Sequence, residues 1–235
     1  MNYADRVIVA LDADSLKEAE SWVKTFGKHI KYFKVGSPLF TACGQEAVKM
    51  VHSAGCKVFL DLKFHDIPST VAKSVESASK LGIWMLNVHA SGGKKMMEAA
   101  KNSLKDVEKS KRPILIAVTV LTSLNQEELS AIGFSRDLNS QVEHFAKSAK
   151  ESGLDGVVAS AHELKVIKKT CGKDFTVVTP GIRPAWASAD DQSRMVTPLE
   201  AFKDGADYIV IGRPLTKHRD PREACEKLLQ ELSTL

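Results

Sequence analysis

Nowhere in the 235 residues does an apolar run approach the roughly 20 needed to cross a bilayer. The opening Met1-Asn2-Tyr3-Ala4-Asp5-Arg6 also lacks a signal-peptide layout, so a cytoplasmic protein with no membrane partner is expected. Cysteine is sparse. Cys43, Cys56, Cys171 and Cys225 stand far apart, with no C-x-x-C and no nearby histidine pair, which argues against a zinc site and for reduced, mostly structural thiols. Charge of one sign is scarce too: 33 Lys and Arg against 29 Asp and Glu leave a formal +4 and a pI near 8.8. That excess helps attract an anionic ligand and is too small to argue for a nucleic-acid partner. The basic stretch from Lys94 to Arg112 is interrupted by Glu98, Asp106 and Glu108 at helical spacing, as on a solvated helix face. Low complexity is absent as well. With 43% hydrophobic and 26% charged residues the chain has the balance of a packed globular protein, and its length suits one large domain over residues 1–235.

What is present is an alternation. Short β-branched runs (Arg6–Asp12, Lys31–Gly36, Lys57–Lys63, Trp84–His89, Pro113–Thr119, Asp155–Ser160, Phe175–Pro180 and Asp207–Gly212) are separated by amphipathic stretches such as Ser15–Phe26, Pro38–Ala54, Ile67–Leu81, Leu138–Ser152 and Pro221–Leu232. Ser15 and Glu18 read as a capping box, and Gly55, Gly82, Gly153 and Gly205 fall just after helical stretches, where a left-handed C-cap is wanted. Eight βα repeats predict an α/β fold, a single closed (β/α)8 TIM barrel. A doubly wound sheet would also alternate, but no G-x-G-x-x-G follows the first strand.

In such a barrel the active site lies at the C-terminal ends of the strands. Here those ends carry Asp12, Lys34, Asp61 with Lys63, His89 with Ser91, Thr119 with Thr122, the turn Thr179-Pro180-Gly181-Ile182-Arg183, and Gly212-Arg213. Asp61 and Lys63 are two apart, so on an extended strand both enter the barrel mouth while Leu60 and Leu62 face the helices. Burying several charges together is costly unless they neutralise one another, which favours an alternating Lys-Asp network. Gly212 permits close backbone approach, and Arg213 suits a phosphate held by the loops after strands 7 and 8. His89 reads as a hydrogen-bonded wall residue, and His65 as part of a turn. The roughly 16 residues from Gly181 to Val196 are long for a βα connection and read as a lid, with Arg183 and Gln192 able to reach an anion.

The string Asp61-Leu62-Lys63-Phe64-His65-Asp66-Ile67-Pro68 resembles the D-x-K-x-x-D signature of the orotidine 5′-phosphate decarboxylase family. Ala-Leu-Asp12, Phe-Lys34-Val-Gly, Val-Thr-Val-Leu-Thr122-Ser, Thr-Pro180-Gly-Ile-Arg183-Pro, Gln192 and Ile-Gly212-Arg213-Pro follow in family order. The resemblance implies a cofactor-free and metal-free lyase that converts orotidine 5′-monophosphate to UMP and carbon dioxide in de novo pyrimidine synthesis. It further implies a homodimeric (β/α)8 barrel with shared sites. Lys34, Asp61, Lys63 and Asp66 match the family's charged network, Lys63 its proton donor, Asp12 a ribose-binding aspartate, and Thr122 a pyrimidine- or loop-contacting threonine. Arg183, Gln192, Gly212 and Arg213 match the phosphate grip, with Pro180 in the same turn; Asp66, Ile67 and Thr70 match positions that enter the neighbouring subunit's site. Two other readings compete. Phosphosugar lyases such as 3-hexulose-6-phosphate synthase share the string but use magnesium and carry a glutamate on strand 2, where this chain has Lys34, which would repel a divalent cation. A non-catalytic nucleotide sensor would have no use for the buried charges.

Overall fold

The computed structural model describes residues 3–187 and 196–234. Among them are eight parallel strands, β1 Val7–Ala10, β2 Tyr32–Gly36, β3 Lys57–Phe64, β4 Met85–His89, β5 Ile114–Val118, β6 Gly156–Val158, β7 Thr176–Thr179 and β8 Tyr208–Ile211. They pair in sequence order, and β8 returns to β1 to close the barrel. Helices follow the strands, among them Leu16–Phe26 after β1 and Pro68–Ser79 after β3. None is long and apolar enough to cross a membrane.

Alternation along the strands sorts the apolar side chains into two clusters. Ile8, Ala10, Phe59, Met85, Ile116, Val178 and Val210 form one, while Val7, Val9, Phe33, Val35, Leu60, Leu86 and Leu115 join the helices in the other. The first fills the barrel and the second is the wall between strands and helices. A repeated device pins the strand starts: Asp155, just before β6, accepts from Leu115 N (2.8 Å) and pairs with Lys101 (2.6 Å), and Asp207, just before β8, accepts from Val177 N (2.7 Å) and pairs with Lys168 (2.6 Å).

Two expectations are corrected. The stretch Pro38–Ala54 is two helices, Ser37–Cys43 and Gln45–Ser53, because Gly44 between them takes a positive φ of 57°. Nor is β3 regularly extended to its end. Its pairing with β4 jumps from Leu60↔Leu86 to Phe64↔Val88, so four steps on β3 oppose two on β4, and within that bulge Lys63 has φ 51°. It is the one non-glycine residue with positive φ among those described.

Candidate active site

The barrel mouth is built by its first four strands. Lys34 shares the inward parity of Tyr32 on β2, and its ammonium reaches Asp12 Oδ1 (3.1 Å), two residues beyond β1, and Asp61 Oδ2 (3.3 Å) on β3. Lys63 Nζ takes the other oxygen, Asp61 Oδ1, at 2.7 Å. Four charges thus run Asp12–Lys34–Asp61–Lys63 and cancel. Gly36 at the end of β2 leaves them room, since a Cβ there would lie 3.1 Å from Lys34 Nζ and crowd the ammonium.

Asp61 and Lys34 keep about a tenth of their side chains exposed, Lys63 about a third. Burial alone would strip their charges, and here it is outweighed. Against desolvation, Asp61 and Asp12 hold the Lys34 pKa above the ordinary lysine value, while Lys34, Lys63 and their hydrogen bonds hold Asp61 below the ordinary carboxylate value. Lys34 and Asp61 are thereby held in their ionised forms. His89, at the end of β4, is pushed the other way: burial lowers its pKa, with His65 and Lys63 adding to the effect, so a neutral ring lies 5.3 Å from that of His65.

Around the other side of the mouth a cleft of about 950 Å³ is lined by Thr122, Ser123, Glu163, Pro180, Gly181 and Ile182. Arg183 is buried at the start of the long loop after β7. The loop's base is closed by the Ile182↔Val196 bridge and by Arg183 N donating to Val196 O (3.1 Å). Gln192 lies outside the described residues. Arg213 is exposed just after β8, and a Cβ on Gly212 would meet Ala10 Cβ at 3.4 Å and Asp12 Oδ2 at 3.7 Å, so β8 comes close to the network's Asp12 end.

Asp66 does not join the network within its own chain. Its Oδ1 accepts from Ile67 N (2.6 Å), it makes no ion pair among the described residues, and it lies in the exposed run from His65 to Thr70, where Ile67 is 64% exposed. Sequence reasoning missed two residues. Asn87, 1% exposed on β4, donates through Nδ2 to Asp61 Oδ1 (2.7 Å) and accepts from Lys63 N (2.8 Å). Its signal was an amide inside the apolar run Met85-Leu86-Asn87-Val88. Glu163, after β6, is buried with its carboxylate capping Ser160 N (2.8 Å), and burial lifts its pKa to about 7.

A sequence model of the Orotidine 5′-phosphate decarboxylase / HUMPS family matches residues 5–228. The chain belongs to that family. Within it, the chain is 52% identical over 227 residues to an orotidine 5′-phosphate decarboxylase of Legionella pneumophila (strain Corby), covering 97% of this chain and 99% of the relative. The corresponding enzyme of Trichlorobacter lovleyi is 48% identical over 229 residues, covering 97% and 95%. Among solved structures, an orotidine 5′-phosphate decarboxylase from Lactobacillus acidophilus superposes with a TM-score of 0.84 at 38% identity, covering 97% of this chain and 99% of that one. An uncharacterized conserved protein from Geobacillus kaustophilus does so at 0.83 and 42%, covering 96% and 99%.

Proposed function

We propose that the protein is a carboxy-lyase that decarboxylates orotidine 5′-monophosphate to UMP and carbon dioxide in pyrimidine biosynthesis, without metal or cofactor, as one barrel domain that works as a homodimer. The observation that carries this reading is the seat of Lys34 Nζ between Asp12 and Asp61, with Lys63 on the second oxygen of Asp61. In a magnesium-using relative of this fold a cation must find free oxygen ligands near this place. Here both carboxylates already face an ammonium.

The chemistry asks for such a group. When the bond between the pyrimidine ring and its carboxylate breaks, the electron pair stays in the ring plane, where it cannot spread into the π system, so local charge has to stabilise it. Lys63 faces that charge and transfers its proton to the ring carbon, leaving UMP and a neutral amine that recovers a proton from solvent. Asp61 holds Lys34 charged, pairs with Lys63 and lies against the departing carboxylate. Asp12 and Lys34 hold the ribose, and Thr122 and Pro180 border the pyrimidine. Arg183, Gln192, Gly212 and Arg213 grip the phosphate, whose binding energy closes the loop after β7 and steadies the network. Asp66, Ile67 and Thr70 serve the partner's site, a role supported by their exposure at the mouth and by the absence of a lysine partner for Asp66 among the described residues of its own chain.

The test is the fall in absorbance of orotidine 5′-monophosphate on adding protein, with and without excess EDTA. Equal rates are expected. Activity abolished by EDTA and restored by Mg²⁺ would replace this reading with the phosphosugar-lyase one.

A further inference from the structure

Asn87 sits in the middle of β4, 1% exposed, between Leu86 and Val88, which are fully buried among the helices. A polar group at such a place is costly unless its hydrogen bonds are made, and an aliphatic residue would fill the space without that requirement. Both of its side-chain bonds go to residues of the charged network. Nδ2 donates to Asp61 Oδ1 at 2.7 Å, and Oδ1 accepts from the backbone N–H of Lys63 at 2.8 Å. The orientation of the amide is unambiguous, because the carboxylate can only accept and the peptide N–H can only donate.

These two bonds act where β3 departs from regular geometry. Lys63 has left-handed φ inside the β3–β4 bulge, a conformation that a lysine adopts only when its surroundings hold it there. Ladder pairing with β4 is interrupted across this segment, so the peptide N–H of Lys63 finds its acceptor in a side chain rather than in the neighbouring strand. Asp61 is fixed by the same group. Its Oδ1 receives Lys63 Nζ and Asn87 Nδ2, both at 2.7 Å, and its Oδ2 faces Lys34 at 3.3 Å. Two of these three donors are flexible lysine ammoniums. Only Asn87 is a short, fully buried side chain, locked into a strand.

We propose that Asn87 is a positioning residue for decarboxylation: one amide clamps the left-handed Lys63 backbone and the Asp61 carboxylate together, so that the Lys63 ammonium is already aimed when substrate arrives. The inference rests on the decarboxylase reading above. A displacement of about 1 Å in a reacting group lowers the rate by roughly 10²-fold, which sets the size of effect expected when the clamp is removed.

The experiment measures kcat for orotidine 5′-monophosphate, Kd for UMP and Tm in Asn87→Ala and in Val88→Ala, a neighbouring buried position that faces the helices. For Asn87→Ala, kcat falls about 100-fold while Kd for UMP stays within about threefold, because the phosphate and ribose contacts lie elsewhere. The acid limb of its kcat profile moves to higher pH, since a donor that favours ionised Asp61 is gone. Val88→Ala lowers Tm but leaves kcat within about threefold of wild type. If Asn87→Ala does not fold, the nearly isosteric Asn87→Leu takes its place; it can neither accept from Lys63 N nor donate to Asp61, and its kcat falls at least about tenfold. A kcat within threefold of wild type in the Asn87 variant, or an equal loss in Val88→Ala, overturns the proposal. Wild-type protein that leaves orotidine 5′-monophosphate unchanged would instead overturn the reading on which it rests.

Discussion

The two ends of the barrel are built from opposite materials. At the C-terminal mouth, Asp12, Lys34, Asp61 and Lys63 form a chain of ion pairs, none longer than 3.3 Å. At the N-terminal floor, Tyr32, Trp84 and Tyr208 close the barrel with ring centroids 4.0 to 5.8 Å apart, over the layer of Ile8, Phe59, Met85 and Ile116. The floor also has a cleft of comparable size, about 1060 Å³ beside Trp84. Its Lys80 and Lys111, however, are each paired with a carboxylate three or four residues away in sequence, Glu76 and Glu108. Charges that converge from separate strands, rather than cleft size, are what point to the mouth as the site. The floor's apolar contacts hold the fold, and the mouth places charges whose mutual attraction chiefly offsets the cost of burying them.

Lys63→Ala sharpens that contrast most. It removes the proposed proton donor and the cation proposed to face the carbanion, so kcat falls by at least about 10³-fold, a barrier increase of about 4 kcal/mol, while UMP still binds. Its Tm changes little, because Lys63 is a third exposed and Asp61 keeps Lys34. A drop in kcat smaller than about tenfold would sink the assigned role. Met85→Ala, at the fully buried floor, works the other way. Removing its side chain destabilises the fold by about 3 kcal/mol in urea unfolding and leaves kcat of the folded fraction within about threefold. If the floor variant lost activity without losing stability, the division of labour between the ends would be wrong.

Within the mouth itself two buried carboxylates have opposite fates. Asp61 has two lysines and a depressed pKa, so its ionised form adds stability above the ordinary carboxylate range, which is lost as pH falls through the depressed value. Glu163 has no ion pair among the described residues, and burial lifts its pKa from 4.5 to about 7. Its neutral form is therefore the favoured one. That contribution is full below about pH 4.5 and is lost as pH rises to about 7, a change of about 3 kcal/mol. Glu163→Gln cannot ionise, so the stability difference between wild type and variant, followed by urea unfolding from pH 4.5 to 8, should slope against wild type across that window. A flat difference would mean that water reaches the Glu163 carboxylate.

The barrel was readable because its signals are local and repeated. Every expected strand overlaps an observed one, and Gly55, Gly82, Gly153 and Gly205 all have the positive φ expected after a helix. The charged residues of the mouth were readable as well, since inward parity follows from alternation. Lys63 does reach the mouth beside Asp61, but through a bulge in β3 rather than by regular extension, and that bulge depends on pairing with β4, which no count along one strand reveals. Asn87 was missed for the same reason: its partners are 24 and 26 residues away in sequence. Glu163 was missed too: it caps Ser160, and its raised pKa comes from burial by elements that the local sequence does not contain.

The smallest effect tests whether the mouth is complete within one chain. Asp66 is exposed and belongs to no ion pair of the described residues, which supports the place in the partner's site that the family resemblance implies for it. Lys63→Ala and Asp66→Asn chains, each inactive alone, are unfolded together and refolded as a mixture. In a heterodimer one site inherits both defects, and the other combines an intact Lys63 from one chain with an intact Asp66 from its partner. Random pairing makes about half the dimers mixed, each with one competent site of two, so activity recovers to about a quarter of wild type. Should Asp66 serve its own chain instead, every site carries one defect in every pairing. Activity no higher than that of the unmixed variants, with heterodimers confirmed by mass, would then remove the shared site and leave the Lys63 assignment standing, because Lys63 still meets Asp61 at 2.7 Å within one chain.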